Sequence, residues 1–304
     1  MFSRVVEWLL SCLLGLIRLL PLVTVARLGR ALGAMAHRLD RRHRRVAEEN
    51  IALAFPNLPP TQVRDLAREN FRRIGEAYAS AIKTPGMDPA ELLARIEIVG
   101  LEEVLRAGRD RVVVATGHFG SFDLLAQGQH RWPDWHLATT YRGQRFAPLE
   151  RALQRLRDLT GVQFIERHEA AEAITGLFQR GRAILALFSD QHGGGKGLWL
   201  PFLGRPCSCS NAPAVLALRY KATLAMAVCY RTDLARWRIE VGPVIATQEA
   251  DGRDRPVDDI AREVHGHYET AIRRDPANWF WVHRRWKAPS TRQADSAVAG
   301  PRGA

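Results

Sequence analysis

Arg111-Val-Val-Val-Ala-Thr-Gly-His118-Phe-Gly-Ser-Phe-Asp123-Leu-Leu125 is the stretch on which the reading of this chain turns. Its β-branched run predicts a buried strand, Gly117 and Gly120 break that strand, and a helix follows. Upstream, Ile96-Glu-Ile-Val99 predicts another strand, joined to the first by the helix-like Glu102–Gly108, which makes a β-α-β unit. Downstream, strands are expected at His136–Thr140, Val162–Ile165, Ala183–Phe188, Leu224–Tyr230 and Arg238–Val241, with helices at 147–159, 169–180, 211–221 and 257–274. Strands alternating with helices define an α/β fold, a layered and mostly parallel sheet with helices on both faces. Before residue 90 the apolar positions recur at helical spacing (Val63, Leu66, Phe71, Ile74, Tyr78). The expected organisation is a helical N-terminal region over 1–90, an α/β catalytic domain over 91–287, and a Pro/Ser/Ala/Gly-rich disordered tail over 288–304.

The N-terminal quarter is unusual in charge and hydropathy. Residues 1–75 carry thirteen arginines and no lysine against six acids, over half of the net charge of +12. Within them, residues 8–26 form an apolar run interrupted only by Arg18 and Pro21, and a membrane anchor is expected over about residues 5–26. Glu7 and Arg18 fit a cleavable signal peptide poorly, so the anchor is read as retained, inserted or interfacial. The basic His37–Arg45 stretch that follows suits anionic headgroups. At 46% apolar and 25% charged, the composition excludes a disordered, collagenous or polytopic membrane protein. Four scattered cysteines exclude a disulfide framework. The surplus of arginine alone would also suit nucleic acid, but no helix-turn-helix, zinc finger or RNA-recognition signature is present, so no nucleic-acid partner is expected. A noncatalytic membrane-surface protein would explain the N-terminus but not the histidine and acid at a strand end.

Ligands of α/β sheets sit beyond the carboxyl ends of strands, where His118 lies. A histidine five residues ahead of an acid is weak by itself: ten histidines and 32 acids give about one such pair by chance, and this chain has two. The other, His43 with Glu48, lies in the basic helix with no strand before it. Five residues along a helix is about 500°, so His118 and Asp123 can meet only if His118 sits in the turn. From there Asp123 is expected to reach back to one imidazole nitrogen, leaving the other as a base. Gly120 would let substrate approach the backbone, and Ser121 reads as a helix cap rather than a nucleophile.

Other fragments carry less. His192-Gly-Gly-Gly195 resembles an esterase oxyanion loop, but no Gly-x-Ser-x-Gly elbow accompanies it. Gly193-Gly-Gly-Lys196 does not complete a P-loop, and Cys207-x-Cys209 lacks the second half of a structural zinc site, so no metal is expected.

His118-Phe-Gly-Ser-Phe-Asp123 resembles the His-x4-Asp/Glu block of the lysophospholipid acyltransferase superfamily, in particular its lipid A secondary (lauroyl/myristoyl) acyltransferase branch. Four further blocks fall in order: Glu49-Asn50-Ile-Ala-Leu-Ala-Phe-Pro56; Tyr141-Arg142 ahead of Pro148-Leu-Glu150 and Arg157; Asp190-Gln191 with Pro201-Phe-Leu-Gly204; and Trp279–Lys287. The branch often carries glutamate where Asp123 stands. The resemblance implies transfer of an acyl chain from a thioester, on acyl carrier protein or coenzyme A, to a hydroxyl of a membrane glycolipid like a lipid A precursor, or of a lysophospholipid. It implies a His118/Asp123 general base, Arg142 on the oxyanion or a substrate phosphate, substrate contacts at Asp190 and Gln191, and headgroup phosphates at Arg284 and Arg285. It also implies no metal or redox cofactor, acyl carrier protein as partner, and a place at the cytoplasmic face of the inner membrane.

Overall fold

A computed structural model describes residues 2–287 apart from 109, 131 and 168–169; the tail expected over 288–304 lies outside the described residues. Four helices open the chain: α1 (Phe2–Leu19), α2 (Leu22–Leu39), α3 (Arg41–Ala54) and α4 (Pro60–Lys83). The apolar run expected as one anchor is therefore two helices, broken at Leu20-Pro21 because proline cannot donate within a helix. No helix among the described residues is long and apolar enough to cross a membrane, so the expected anchor is not seen as a span. The backbones of α2 and α4 nearly touch. A Cβ on Gly33 would fall 2.1 Å from the Phe71 carbonyl oxygen, and one on Gly75 the same distance from that of Gly29.

The α/β body follows as α5 (Pro89–Leu93), β1 (Ile96–Val99), α6 (Leu101–Ala107), β2 (Arg111–Thr116), a 3-10 helix (Phe122–His130), β3 (His136–Tyr141), α7 (Ala147–Asp158), β4 (Gln163–Glu166), α8 (Ala170–Gln179) and β5 (Ala183–Phe188). Then come a hairpin of β6 (Leu198–Phe202) and β7 (Arg205–Cys209), α9 (Ala212–Tyr220), β8 (Thr223–Asp233), β9 (Arg236–Ile245) and α10 (Val257–Arg274). Seven strands form one sheet in the order β1-β9-β8-β2-β5-β3-β4. β8, β2, β5, β3 and β4 run parallel, while β9 is antiparallel to β8 and takes β1 parallel beside it.

Alternation along the strands splits the core in two. Val113, Ala115, Leu185 and Leu187 face α9, α10 and the N-terminal helices α3 and α4, while Val112, Val114 and Ile184 face α6 and the 3-10 segment. The helical region and the sheet thus share a hydrophobic core. Polar clamps join them as well. Buried Asn50 donates to the carbonyls of Trp281 and His283, and buried Asn70 to those of Ala277 and Trp279. Glu76, 1% exposed, accepts from Arg30, Arg231 and the Ala235 amide. A buried carboxylate needs such charged partners, and these ones tie α2 and α4 to the β8–β9 turn.

Candidate active site

β2 and β5 are adjacent and parallel, with Thr116 level with Phe188. Two residues further on, in each chain direction, stand His118 and Asp190. His118 Nδ1–H donates to Asp190 Oδ1 at 2.8 Å and the His118 amide to Asp190 Oδ2 at 2.9 Å. The Trp279 indole N–H reaches the same Oδ2 at 2.8 Å. Gly117 is required here, since a Cβ would meet Asp190 Cγ at 2.9 Å. The Asp190 side chain is fully buried, that of His118 22% exposed. Burial pushes the Asp190 carboxyl up, but the His118 charge and the three N–H donors outweigh it and hold the carboxyl below its ordinary range. This pair fixes the tautomer and leaves Nε2 as the unprotonated nitrogen.

The carboxylate that reaches Nδ1 is therefore Asp190 rather than Asp123. The segment after Ser121 winds as a 3-10 helix, and Asp123 stays within electrostatic range of His118 without a hydrogen bond to it among those described. Burial raises the Asp123 carboxyl to about 6, against the opposing pull of His118 and Arg157. Asp190, expected as a substrate contact, has both oxygens occupied and no exposed surface, so it orients the histidine. Gln191 is half-buried beside it. Ser121 is 3% exposed, as a structural residue would be. Gly120 takes a left-handed φ of 52° and packs against the Cys229 carbonyl, which excludes a side chain there.

Three phenyl rings surround the imidazole, Phe122 at 4.8 Å, Phe188 at 4.9 Å and Phe280 at 5.8 Å between centroids. Phe122 and Phe188 also line a cleft with Asp123, Thr139, Val162 and Phe164. It shares Leu125, Leu137, Ile184 and Ala186 with a second, almost wholly apolar cleft that reaches Trp132 and Leu101. On the other side of His118, a smaller opening is lined by Arg73, Tyr78, Gly120 and Phe280. His118 itself lines the opening beside α4, and its ring neighbours Phe122 and Phe188 line the first of the two clefts.

The remaining expected residues separate into exposed and buried. Arg142 is exposed after β3, in a loop shaped by Arg157, which lies 4.2 Å over the Tyr141 ring and pairs with Glu150 at 2.8 Å. Arg284 is exposed. Arg285 is fully buried: Nη1 donates to the Ser208 carbonyl, Nη2 lies 3.0 Å from Cys209 Sγ, and the guanidinium covers Phe202 at 4.7 Å. Packed in this way it fastens the β6–β7 hairpin and cannot meet a headgroup phosphate. Cys207 and Cys209 are buried on that hairpin. Residues the sequence did not single out include Trp279 as a donor to Asp190, the clamp Asn70, His283, and Asn278, whose side chain donates to the Cys229 carbonyl and whose own carbonyl accepts from the Gly120 amide. The His283 imidazole is lowered to about 4, first by burial, then by Lys287 and Arg285.

An oriented histidine, its buried carboxylate and adjoining apolar clefts are compatible with a lipid acyltransferase. Residues 1–288 match the model of the bacterial lipid A biosynthesis acyltransferase family, and the chain belongs to that family. It is similar to the lipid A biosynthesis palmitoleoyltransferase of Escherichia coli (strain K12), 27% identical over 273 residues that cover 88% of this chain and 86% of the relative. It also resembles the lipid A biosynthesis lauroyltransferase of the same organism, 28% identical over 126 residues or 40% of each chain. A lipid A biosynthesis acyltransferase of Haemophilus influenzae is 22% identical over 295 residues, 92% of this chain and 89% of the relative. The protein is an acyltransferase enzyme of lipid A biosynthesis.

Proposed function

We propose that the enzyme moves a fatty acyl chain from an acyl thioester, carried by acyl carrier protein, to a hydroxyl of a lipid A precursor at the cytoplasmic face of the inner membrane, with His118 as general base. The observation that supports this reading best is His118 held through Nδ1 by buried Asp190, with its ring neighbours Phe122 and Phe188 lining an apolar cleft. The acyl chain lies in that cleft and the acceptor hydroxyl enters from the Tyr78 side. Nε2 takes the hydroxyl proton as the oxygen attacks the thioester carbonyl. The tetrahedral intermediate carries its negative charge toward Arg142, then collapses with cleavage of the C–S bond, and the thiolate takes the proton back from the imidazolium. Asp190 stabilises the imidazolium throughout, a general-base contribution typically of about 10² to 10⁴ in rate. Neither a metal nor a redox cofactor has a step in this sequence.

The test is His118→Ala, assayed with acyl-carrier-protein donor and a lipid A precursor. Loss of transfer with unchanged thermal unfolding is expected, because a partly exposed histidine contributes little to the core. Near-normal turnover by the purified variant overturns the mechanism.

A further inference from the structure

Arg285 is fully buried, and a guanidinium keeps its charge under all conditions in which a protein stays folded. A buried cation needs an anion beside it. No carboxylate among the described residues pairs with this one. Its partners are the Ser208 carbonyl at 2.6 Å, Cys209 Sγ at 3.0 Å and the face of the Phe202 ring, and its Nε has no hydrogen-bond partner among the described residues. Of these groups only the cysteine can carry a negative charge. The approach of Nη2 to Sγ is closer than a van der Waals contact of nitrogen with sulfur, as a charge-assisted bond makes it.

The hairpin supplies a second donor. Cys207 and Cys209 are alternate residues of β7, so their side chains share a face, and their sulfurs lie 3.9 Å apart, within reach of an S–H···S bond. Cys209 is the one bonded to the guanidinium, which leaves the proton of the pair on Cys207. At Cys209 the hydrogen bond from Cys207, with His265 and Arg285, outweighs burial and holds the thiol below its ordinary range; the same bond and burial hold Cys207 above its own. The pair sits where two strands of the candidate active site are fastened. Arg285 belongs to the segment that carries Trp279, the indole donor to Asp190, and Phe280 beside the His118 ring. The Ser208 carbonyl that it bonds also accepts from the Gly193 amide, shortly after Asp190, at 3.0 Å.

We propose that Cys209 is a thiolate, the counter-charge of Arg285, and that this buried ion pair is a positioning element for the segments that hold Asp190 and support His118. The charge state goes beyond the reading of His118 as general base; the effect on turnover rests on that reading.

Raman spectroscopy of the full chain in neutral detergent tests the charge. At a pH of about 6, where an unfolded cysteine keeps its proton, the S–H stretching band should integrate to three of the four thiols in the folded enzyme and to all four after unfolding. Four thiols in the folded enzyme overturn the assignment. Substitution tests the positioning: a serine keeps the size and hydrogen bonding without the charge, whereas an aspartate restores the charge. Cys209→Ser should therefore lower kcat roughly tenfold or more with little change in KM for the acyl donor, and Cys209→Asp should recover severalfold of that loss and unfold at a higher temperature than Cys209→Ser. A space-filling cysteine requires the reverse order, because serine is the closer shape and an added buried carboxylate the more disruptive. Cys209→Ser matching the unmodified enzyme, or Cys209→Asp falling below Cys209→Ser, overturns the positioning role. The thiol count is read on the unmodified enzyme and decides the charge even where a variant fails to fold. Near-normal turnover by His118→Ala would defeat the proposed chemistry and leave the thiol count and the order of unfolding temperatures standing.

Discussion

Asp190 and Asp123 both lie near His118 away from solvent, yet the fold moves their carboxyls in opposite directions, Asp190 below the ordinary range and Asp123 up to about 6. The difference is the number of N–H donors: Asp190 has three, from His118 twice and Trp279. Asp190→Asn should therefore lower kcat by about 10² or more, since it removes the charge that stabilises the imidazolium, and steady-state kinetics on the folded variant would show it. Asp123 predicts a pH effect on stability. Between about 4 and 6 the folded protein holds a proton that the unfolded chain, with an ordinary value of 3.8, has released. Stability then falls as pH rises through that window, by on the order of 3 kcal/mol, and Asp123→Asn should flatten the slope in urea denaturation.

Among the elements, the helix pair α2–α4 depends on close backbone approach. Gly75→Ala should cost about 2 kcal/mol or more, because its methyl would meet a carbonyl oxygen rather than a yielding side chain, and thermal unfolding would report it. Elements of this kind differ in how plainly the sequence announces them. β1 and β5 fall at Ile96–Val99 and Ala183–Phe188, where their apolar runs place them. The β6–β7 hairpin was not anticipated, since Pro201, Gly204 and Pro206 disguise it. The split of α1 from α2 falls at Pro21, which the sequence shows as an interruption, but the apolar composition on both sides hides that it parts two separate helices. The partner of His118 was hidden by topology, because Asp190 lies 72 residues away and becomes its neighbour only once β2 and β5 are known to be adjacent. Asp190 and Arg285 were visible as parts of family-like blocks, but their burial, and hence their supporting roles, required the packed structure.

At the scale of the whole molecule, charge governs encounters. The net charge of +12 should draw an acidic carrier protein, so kcat/KM for acyl-carrier-protein donor should fall severalfold as ionic strength rises from about 0.01 M to 0.15 M and the Debye length shortens from roughly 30 Å to 8 Å. An acyl-pantetheine donor should lose much less, with acceptor in neutral detergent; equal losses would discard the carrier-protein assignment.

The asparagine clamps impose an order on the enzyme's birth. Asn50 and Asn70 leave the ribosome some two hundred residues ahead of the carbonyls they grip, since the bonds to Trp281 and Trp279 span 231 and 209 positions. Until those last residues emerge, Asp190 also lacks its indole donor and His118 its Phe280 neighbour. The nascent polypeptide can already present its N-terminal helices while the histidine still lacks part of its support. Under the proposed mechanism acyl transfer therefore requires the segment from Trp279 onward to be docked, and a chain truncated before Trp279 is expected to show no transfer.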